Sequence, residues 1–175
     1  MEAGAGERLT TDRLVLEPLQ LAHADEMVAV LADDRLYEYT GGSAPTLDAL
    51  VDRYRHQIRG PGRDNEEWFN WIARRIDSGA VVGYVQATVI DERANVAWLV
   101  GVDHQRQGFA GEAAKAMLAW LVKHGVRSFS AHVAVDHIAS ARVAERIGME
   151  RTNATDDNGE EVWSTTTADE PPRAN

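Results

Sequence analysis

Residues 100–113 read Val100-Gly101-Val102-Asp103-His104-Gln105-Arg106-Gln107-Gly108-Phe109-Ala110-Gly111-Glu112-Ala113. A strand-like apolar run enters this stretch and an amphipathic helix leaves it. Between them lies a short loop with a basic residue, two glycines and an alanine, where backbone N–H groups can lie bare. Such a loop at a helix N-terminus suits phosphate, because the orphan amides and the positive end of the helix dipole point the same way. An ordinary β-to-α turn would also use glycine for its backbone angles, so the rest of the chain has to decide. No Gly-Lys-Ser/Thr follows, which excludes a Walker loop. The strands upstream read as antiparallel, which argues against a dinucleotide fingerprint. Arg106 supplies a cation that a phosphate would want, and Glu112 is favourable near the dipole's positive end without any function.

Upstream, Arg13-Leu14-Val15-Leu16-Glu17-Pro18 alternates as a first strand stopped by proline. Leu21, Ala24, Met27, Val28 and Leu31 then fall on one helical face. Thr46 can cap a second helix that carries Leu47, Leu50, Val51, Tyr54 and Ile58, and Gly60-Pro61-Gly62 ends it. Strands over 68–74, 80–90 and 94–100 follow, joined by Asp77-Ser78-Gly79 and Asp91-Glu92-Arg93 as an antiparallel meander. Downstream, Ala114, Met117, Leu118, Leu121 and Val122 predict a helix over 111–123. Phe129, Ala131, Val133 and Val135 alternate as a strand, and 138–147 forms a helix burying Val143, Ala144 and Ile147, with Gly148 as its stop. Short strands at 149–153 and 162–167 close the fold across Asp156-Asp157-Asn158-Gly159. The order is α+β, with one crossover of βαβ type after Val100.

At 175 residues this is one domain with a substantial core. The expected boundaries are frayed ends at 1–8 and 168–175 around a folded unit at 9–167. The net charge is −10, from 28 acidic and 18 basic residues, which argues against nucleic acid as a partner. An acidic surface can draw a cationic amine, although its ordinary meaning is solubility. There is no cysteine, so a disulfide scaffold, a zinc–thiolate site and a cysteine nucleophile are excluded. No apolar run approaches the ~18 residues of a membrane span, and no signal peptide is visible at the N-terminus. The expectation is a cytoplasmic protein with no membrane partner. The six histidines lack metal-ligand spacing, so no metal is expected.

About 30 residues beyond the loop stands Asp136-His137-Ile138-Ala139-Ser140-Ala141-Arg142-Val143-Ala144-Glu145-Arg146-Ile147-Gly148-Met149. The spacing Gln105-x-x-Gly108-x-Ala110, with this second segment, resembles the two acyl-CoA segments of the GNAT family of N-acetyltransferases. Ser140, Arg142, Gly148 and Met149 match the second. Thr10-Thr11-Asp12-Arg13-Leu14-Val15-Leu16 and Phe109-Ala110-Gly111-Glu112-Ala113 resemble the RimJ/RimL-type branch of that family, which acetylates protein N-termini and related amines. The resemblance covers residues 9–167.

It implies a GNAT-type fold, a central mixed, mostly antiparallel sheet flanked by about four helices and splayed around the acyl-CoA site. It also implies acetyl-CoA as co-substrate. The pantetheine would pair with the edge at Trp98, Leu99 and Val100 as an added strand. A backbone N–H near Leu99 would polarise the thioester carbonyl. The pyrophosphate would rest on the amides of Arg106, Gln107, Gly108, Phe109, Ala110 and Gly111. An amine would then attack directly in a ternary complex, since no cysteine is present to carry an acyl group.

The chain departs from the family pattern in three places. His137 stands where the family usually has Asn; its N–H can reach the pantetheine, or it is a surface residue at a helix start. Ala144 replaces a tyrosine general acid, which leaves Ser140 as the candidate catalytic residue, unless it is only a helix cap. Asn95 stands where relatives often place a glutamate, so the general base is unassigned. The stretch 37–43 falls where the family walls its acceptor cleft. The expected function is acetyl transfer to a primary amine, a protein N-terminus or a small amine, and a homodimer is left open. The rival is an acyl-CoA-binding sensor that has lost catalysis.

Overall fold

The computed structural model describes residues 6–166; of the ends expected to fray at 1–8 and 168–175, residues 1–5 and 168–175 lie outside it. Where the chain comes into view it is already tied down. The Glu7 carbonyl accepts the Trp71 indole N–H at 2.8 Å, and its carboxylate accepts that of Trp120 at 3.3 Å.

Strand β2 (Leu14–Pro18) buries Leu14 and Leu16 completely and ends at its proline, whose missing N–H cannot continue a ladder. A two-residue edge strand, β1 (Leu9–Thr10), pairs with it. Helix α1 (His23–Val30) buries Ala24 and Met27 on one face, with Leu31 just beyond; Leu21 precedes the helix and is exposed. In α2 (Leu47–Arg59) the Thr46 hydroxyl accepts the Ala49 N–H, and Gly60 at φ 78° stops the helix. Leu50 and Tyr54 are its buried contacts, whereas Leu47 and Ile58 face outward.

The meander is β3 (Glu66–Arg75), β4 (Val81–Ile90) and β5 (Arg93–Val100). Its second turn pivots on Asp91 at φ 55°. Helix α3 (Phe109–Lys123) crosses to β6 (Ser128–Val133), and α4 (Ile138–Arg146) leads into the hairpin β7 (Glu150–Thr155) and β8 (Glu161–Thr166). The sheet order is β1-β2-β3-β4-β5-β6-β8-β7, antiparallel throughout except β5–β6. That is the α+β architecture expected.

Hydrophobic clusters fill both faces of the sheet. On one, Leu14, Leu16, Trp71, Val85 and Val96 pack against Phe109, Met117 and Leu121 of α3. On the other, Ile72 and Val81 pack against Met27 of α1 and Leu50 and Tyr54 of α2. Two local expectations change. The alternation through Val135 overruns the strand, which stops at Val133: the His137 N–H turns back to the Ala134 carbonyl at 3.0 Å, Asp136 is left-handed at φ 73°, and Val135 is exposed. In α4 only Ala144 is fully buried, with Val143 and Ile147 half-buried.

Candidate active site

The site begins where the sheet comes apart. Strands β5 and β6 pair over only three residues each, Arg93–Asn95 against Ser128–Ser130. At the last rung the Asn95 side-chain amide donates to the Ser130 hydroxyl at 3.2 Å. Beyond it β6 stays with β8 as far as Val133, while β5 continues along β4 alone. Over Val96–Val100 the side of β5 away from β4 therefore has no strand partner among the described residues, a template for an extended one, although the Val100 carbonyl there accepts the Gln105 side-chain amide at 3.0 Å. Their side chains are committed elsewhere, Trp98 and Val100 to the α3-side core and Leu99 to the α1/α2-side core. Opposite Val100 only glycine fits, because a Cβ on Gly83 would collide with the Leu99 carbonyl oxygen.

The edge leads through a 3-10 turn (Val102–His104) to the N-terminus of α3. Arg106 at φ 62° and Gly108 at φ 82° are both left-handed, and Gly108 is the N-cap residue with no side chain capping the helix. That sharp turn starts the helix at Phe109, two residues before the expected Gly111. Phe109 is a core residue under the guanidinium of Arg13, 4.6 Å above its ring, so only its backbone can meet a ligand. A Cβ built on Gly111 meets no atom within 4 Å, so space over the first turn is open.

The loop is clamped by residues for which the sequence assigned no such role. Glu112 accepts the Arg13 guanidinium at 2.7 and 2.6 Å, the Arg13 N–H at 2.9 Å and the Thr11 hydroxyl at 2.6 Å. Arg13 also donates to the Gln107 carbonyl at 2.9 Å. Burial opposes ionisation of Glu112, but the Thr11 and Arg13 hydrogen bonds win and hold its carboxyl below its ordinary range. No short-range pattern announces a pair 99 positions apart.

The start of α4 is built differently. The His137 ring is its cap: Nδ1 accepts the Ser140 N–H at 3.3 Å, which leaves the ring proton on Nε2. Burial pushes the His137 pKa below its usual value, and the ring stacks on Tyr39 at 4.3 Å. Ser140 is therefore not the cap. It sits at the third helical position, half-buried, with its hydroxyl making no hydrogen bond among the described residues. Ala144, where a tyrosine was missed, is completely buried.

Two cavities open at the C-terminal ends of the splayed pair, the region where parallel strands favour ligands. One of 440 Å³ lies between Ala29–Asp33 and Gly101–His104. The other, of 580 Å³, lies between Tyr39 and Thr40, Ala134 and Val135 beyond β6, and Asn158–Glu160 of the hairpin turn. Beside it His132, Asp156 and Glu160 bring their ligand-type atoms within 4.8 Å of one another, a grouping their sequence separation hid. His132 is exposed and paired with Asp156 at 2.7 Å. Among the described residues no helix is long and apolar enough to cross a membrane.

A free strand edge leading to an uncapped, glycine-turned helix start is the arrangement that the sequence resemblance implied. The sequence profile of the family described as Acetyltransferase (GNAT) domain matches residues 13–150, and the chain belongs to that family. It is an acetyltransferase with the GNAT fold. A putative GNAT-family acetyltransferase from Bordetella pertussis is 25% identical with a TM-score of 0.73, covering 92% of this chain and 100% of that one. A putative ribosomal-protein-serine acetyltransferase from Vibrio cholerae is 16% identical at TM-score 0.76, covering 93% and 99%. RimL, a ribosomal alpha-N-protein acetyltransferase in complex with coenzyme A, is 15% identical at 0.77, covering 92% and 98%. No curated protein sequence matches the chain.

Proposed function

We propose that the protein transfers the acetyl group of acetyl-CoA to a primary amine by direct attack in a ternary complex. The observation that carries this reading is the free edge of Val96–Val100 running into the uncapped N-terminus of α3. The edge offers backbone groups to the two amides of a pantetheine chain, and Trp98, Leu99 and Val100 would be the residues so used. The amides of Arg106, Gln107, Gly108, Phe109, Ala110 and Gly111 would take the pyrophosphate, aided by the dipole of α3. Glu112 would repel that anion if its charge stood free; its hydrogen bonds to Arg13 neutralise it. His137, through Nε2–H, would donate to the pantetheine from the opposite wall.

The chemistry asks little of the side chains. The neutral amine forms a C–N bond at the thioester carbon while a backbone N–H on β5 stabilises the oxyanion. The C–S bond breaks, the amine loses one proton, and the thiolate takes one. Ser140, free of the capping duty that serine often has at a helix start, is the candidate donor to the departing sulfur. On this reading the enzyme is cytoplasmic and has neither a nucleic-acid nor a membrane partner.

The test is thiol release from acetyl-CoA against peptides, polyamines, aminoglycosides and amino acids, with intact-mass measurement of the protein. Release that depends on an amine, with no acetyl adduct on the chain, is the expected result. A turnover-competent acyl-protein would overturn direct transfer. Tight binding with no release to any amine would select the sensor role instead.

A further inference from the structure

The 580 Å³ cavity says something about the acceptor. It lies beyond the end of β6 and next to His137, on the side of the splay away from the α3 loop. Among the described residues no lysine or arginine lines it, and Glu160 is the one acidic residue that does. Of the neighbouring acids, Glu161 pairs with Arg151 at 3.0 Å and Asp156 pairs with His132. Glu160, half-buried, has no ion-pair partner among the described residues. Its position is fixed all the same, because Asp156 Oδ1 accepts the N–H groups of Asn158 and Glu160, each at 2.9 Å, and the Asp156 N–H donates to the Glu160 carbonyl at 3.0 Å. Lining the same cavity, the Tyr39 ring is itself held by its stack on His137. A free carboxylate and an aromatic face on one cavity recognise an organic cation.

That cation is not the reacting nitrogen. The attacking amine has to be neutral, and a carboxylate against it would keep it as ammonium. Building on the acetyl-transfer reading, we infer that the acceptor is a small amine carrying a second cationic group, a diamine or polyamine, and that Glu160 selects it by binding the group that is not acetylated. Asp156 and His132, which pair with each other at 2.7 Å, both lie within 4.8 Å of Glu160, so Glu160 is the group left to meet a cation in the cavity.

The experiment compares 1,5-diaminopentane with pentylamine, which offer the same primary amine with and without the second charge, at saturating acetyl-CoA. The protein should favour the diamine about tenfold in kcat/KM, mostly through KM, and the preference should shrink with salt because the site is open to solvent. Glu160→Gln should bring the ratio close to one, with acetyl-CoA affinity by calorimetry as the check that the fold is kept. A ratio near one in the parent, or a preference that survives Glu160→Gln, overturns the inference. If acetyl-CoA binds but neither amine is acetylated, equilibrium binding of the two amines to the loaded protein decides it, and equal affinities sink the idea. If acetyl-CoA does not bind, the acetyl-transfer reading has failed. The cavity's selectivity is then judged by whether the free protein binds the diamine over pentylamine and loses that in Glu160→Gln.

Discussion

Two helices begin beside the splay and solve the same backbone problem in opposite ways. Helix α4 closes its own end: the His137 ring accepts the Ser140 N–H, and Tyr39 covers the ring. Helix α3 has no side-chain cap, and its end is entered through left-handed Arg106 and Gly108. Its support comes from beneath, through Glu112, Arg13 and Thr11, which hold the loop without covering its amides. An uncapped helix end costs about 1 kcal/mol against a capped one. Retaining it, and fixing the surrounding loop so firmly, separates the end we propose for an anion from the one that is capped.

The contrast is most exposed at Gly108. A valine there meets a left-handed φ, costing ~1–2 kcal/mol, and closes the approach to the amides. Gly108→Val should weaken acetyl-CoA binding by roughly 100-fold, the loss of one or two charge-assisted hydrogen bonds at about 1.5–3 kcal/mol each. Calorimetry measures it, and a parent-like affinity in a folded variant would break the anion-site reading of α3. The other helix is probed by Ser140. Since His137 carries the cap, Ser140→Ala should leave the melting temperature almost unchanged and lower turnover by about tenfold if the hydroxyl protonates the leaving sulfur. Unchanged turnover would leave α4 with no chemical role.

Smaller effects test the supports. Glu112→Gln removes the charge that holds Arg13 and should lower stability by about 1 kcal/mol, a fall of several degrees in melting temperature. It should also loosen acetyl-CoA binding; a loss of stability with affinity intact would make the clamp purely structural. The smallest effect is the titration of His137. Its folded pKa lies below the ordinary 6.5, because burial disfavours the charged ring. The cap is therefore intact above pH ~6.5 and is lost as pH falls below it, since protonation at Nδ1 turns the acceptor into a donor facing the Ser140 N–H. Glu38, whose charge favours the protonated ring, and Tyr39 are the titratable groups beside it. Melting temperature should decline between pH 7 and 5.5 by the equivalent of up to ~1 kcal/mol, and His137→Asn, which caps without titrating, should flatten that decline.

These tests also mark what the sequence could convey. Element order was legible because apolar periodicity and turn residues are local: Thr46, Gly60 and Gly148 do as stops and caps what their types predict. The turn into α3 was legible too, because a left-handed helix start leaves a glycine, Gly108, at its N-cap. What stayed hidden is whatever depends on distant partners. Nothing around Glu112 points to Arg13, and nothing around Glu160 shows that Asp156 and Glu161 on either side are ion-paired while, among the described residues, it is not. Ser140 misled for a related reason: serine is a common cap, but the ring three residues earlier reaches the same N–H. Asn95 read as a missing glutamate, whereas in the fold it joins β5 to β6 through Ser130.

That last contact sets the mechanics of the whole molecule. Strands β1–β5 form one leaf and β6, β8 and β7 another, and the spine between them is three residue pairs with Asn95 and Ser130 at its open end. The crossover helix α3 joins the leaves along the chain, and one hydrophobic cluster with Phe129, Ala131 and Trp163 spans both. A short spine is a lever fulcrum: a small rotation there would move the far tips of β5 and β6 by a much larger amount, and with them the walls of the 580 Å³ cavity. On the acetyl-transfer reading, the gap that would admit a cofactor on one side and an amine on the other is then a single adjustable aperture. Its hinge lies at the one place in the sheet where two neighbouring strands run in the same direction.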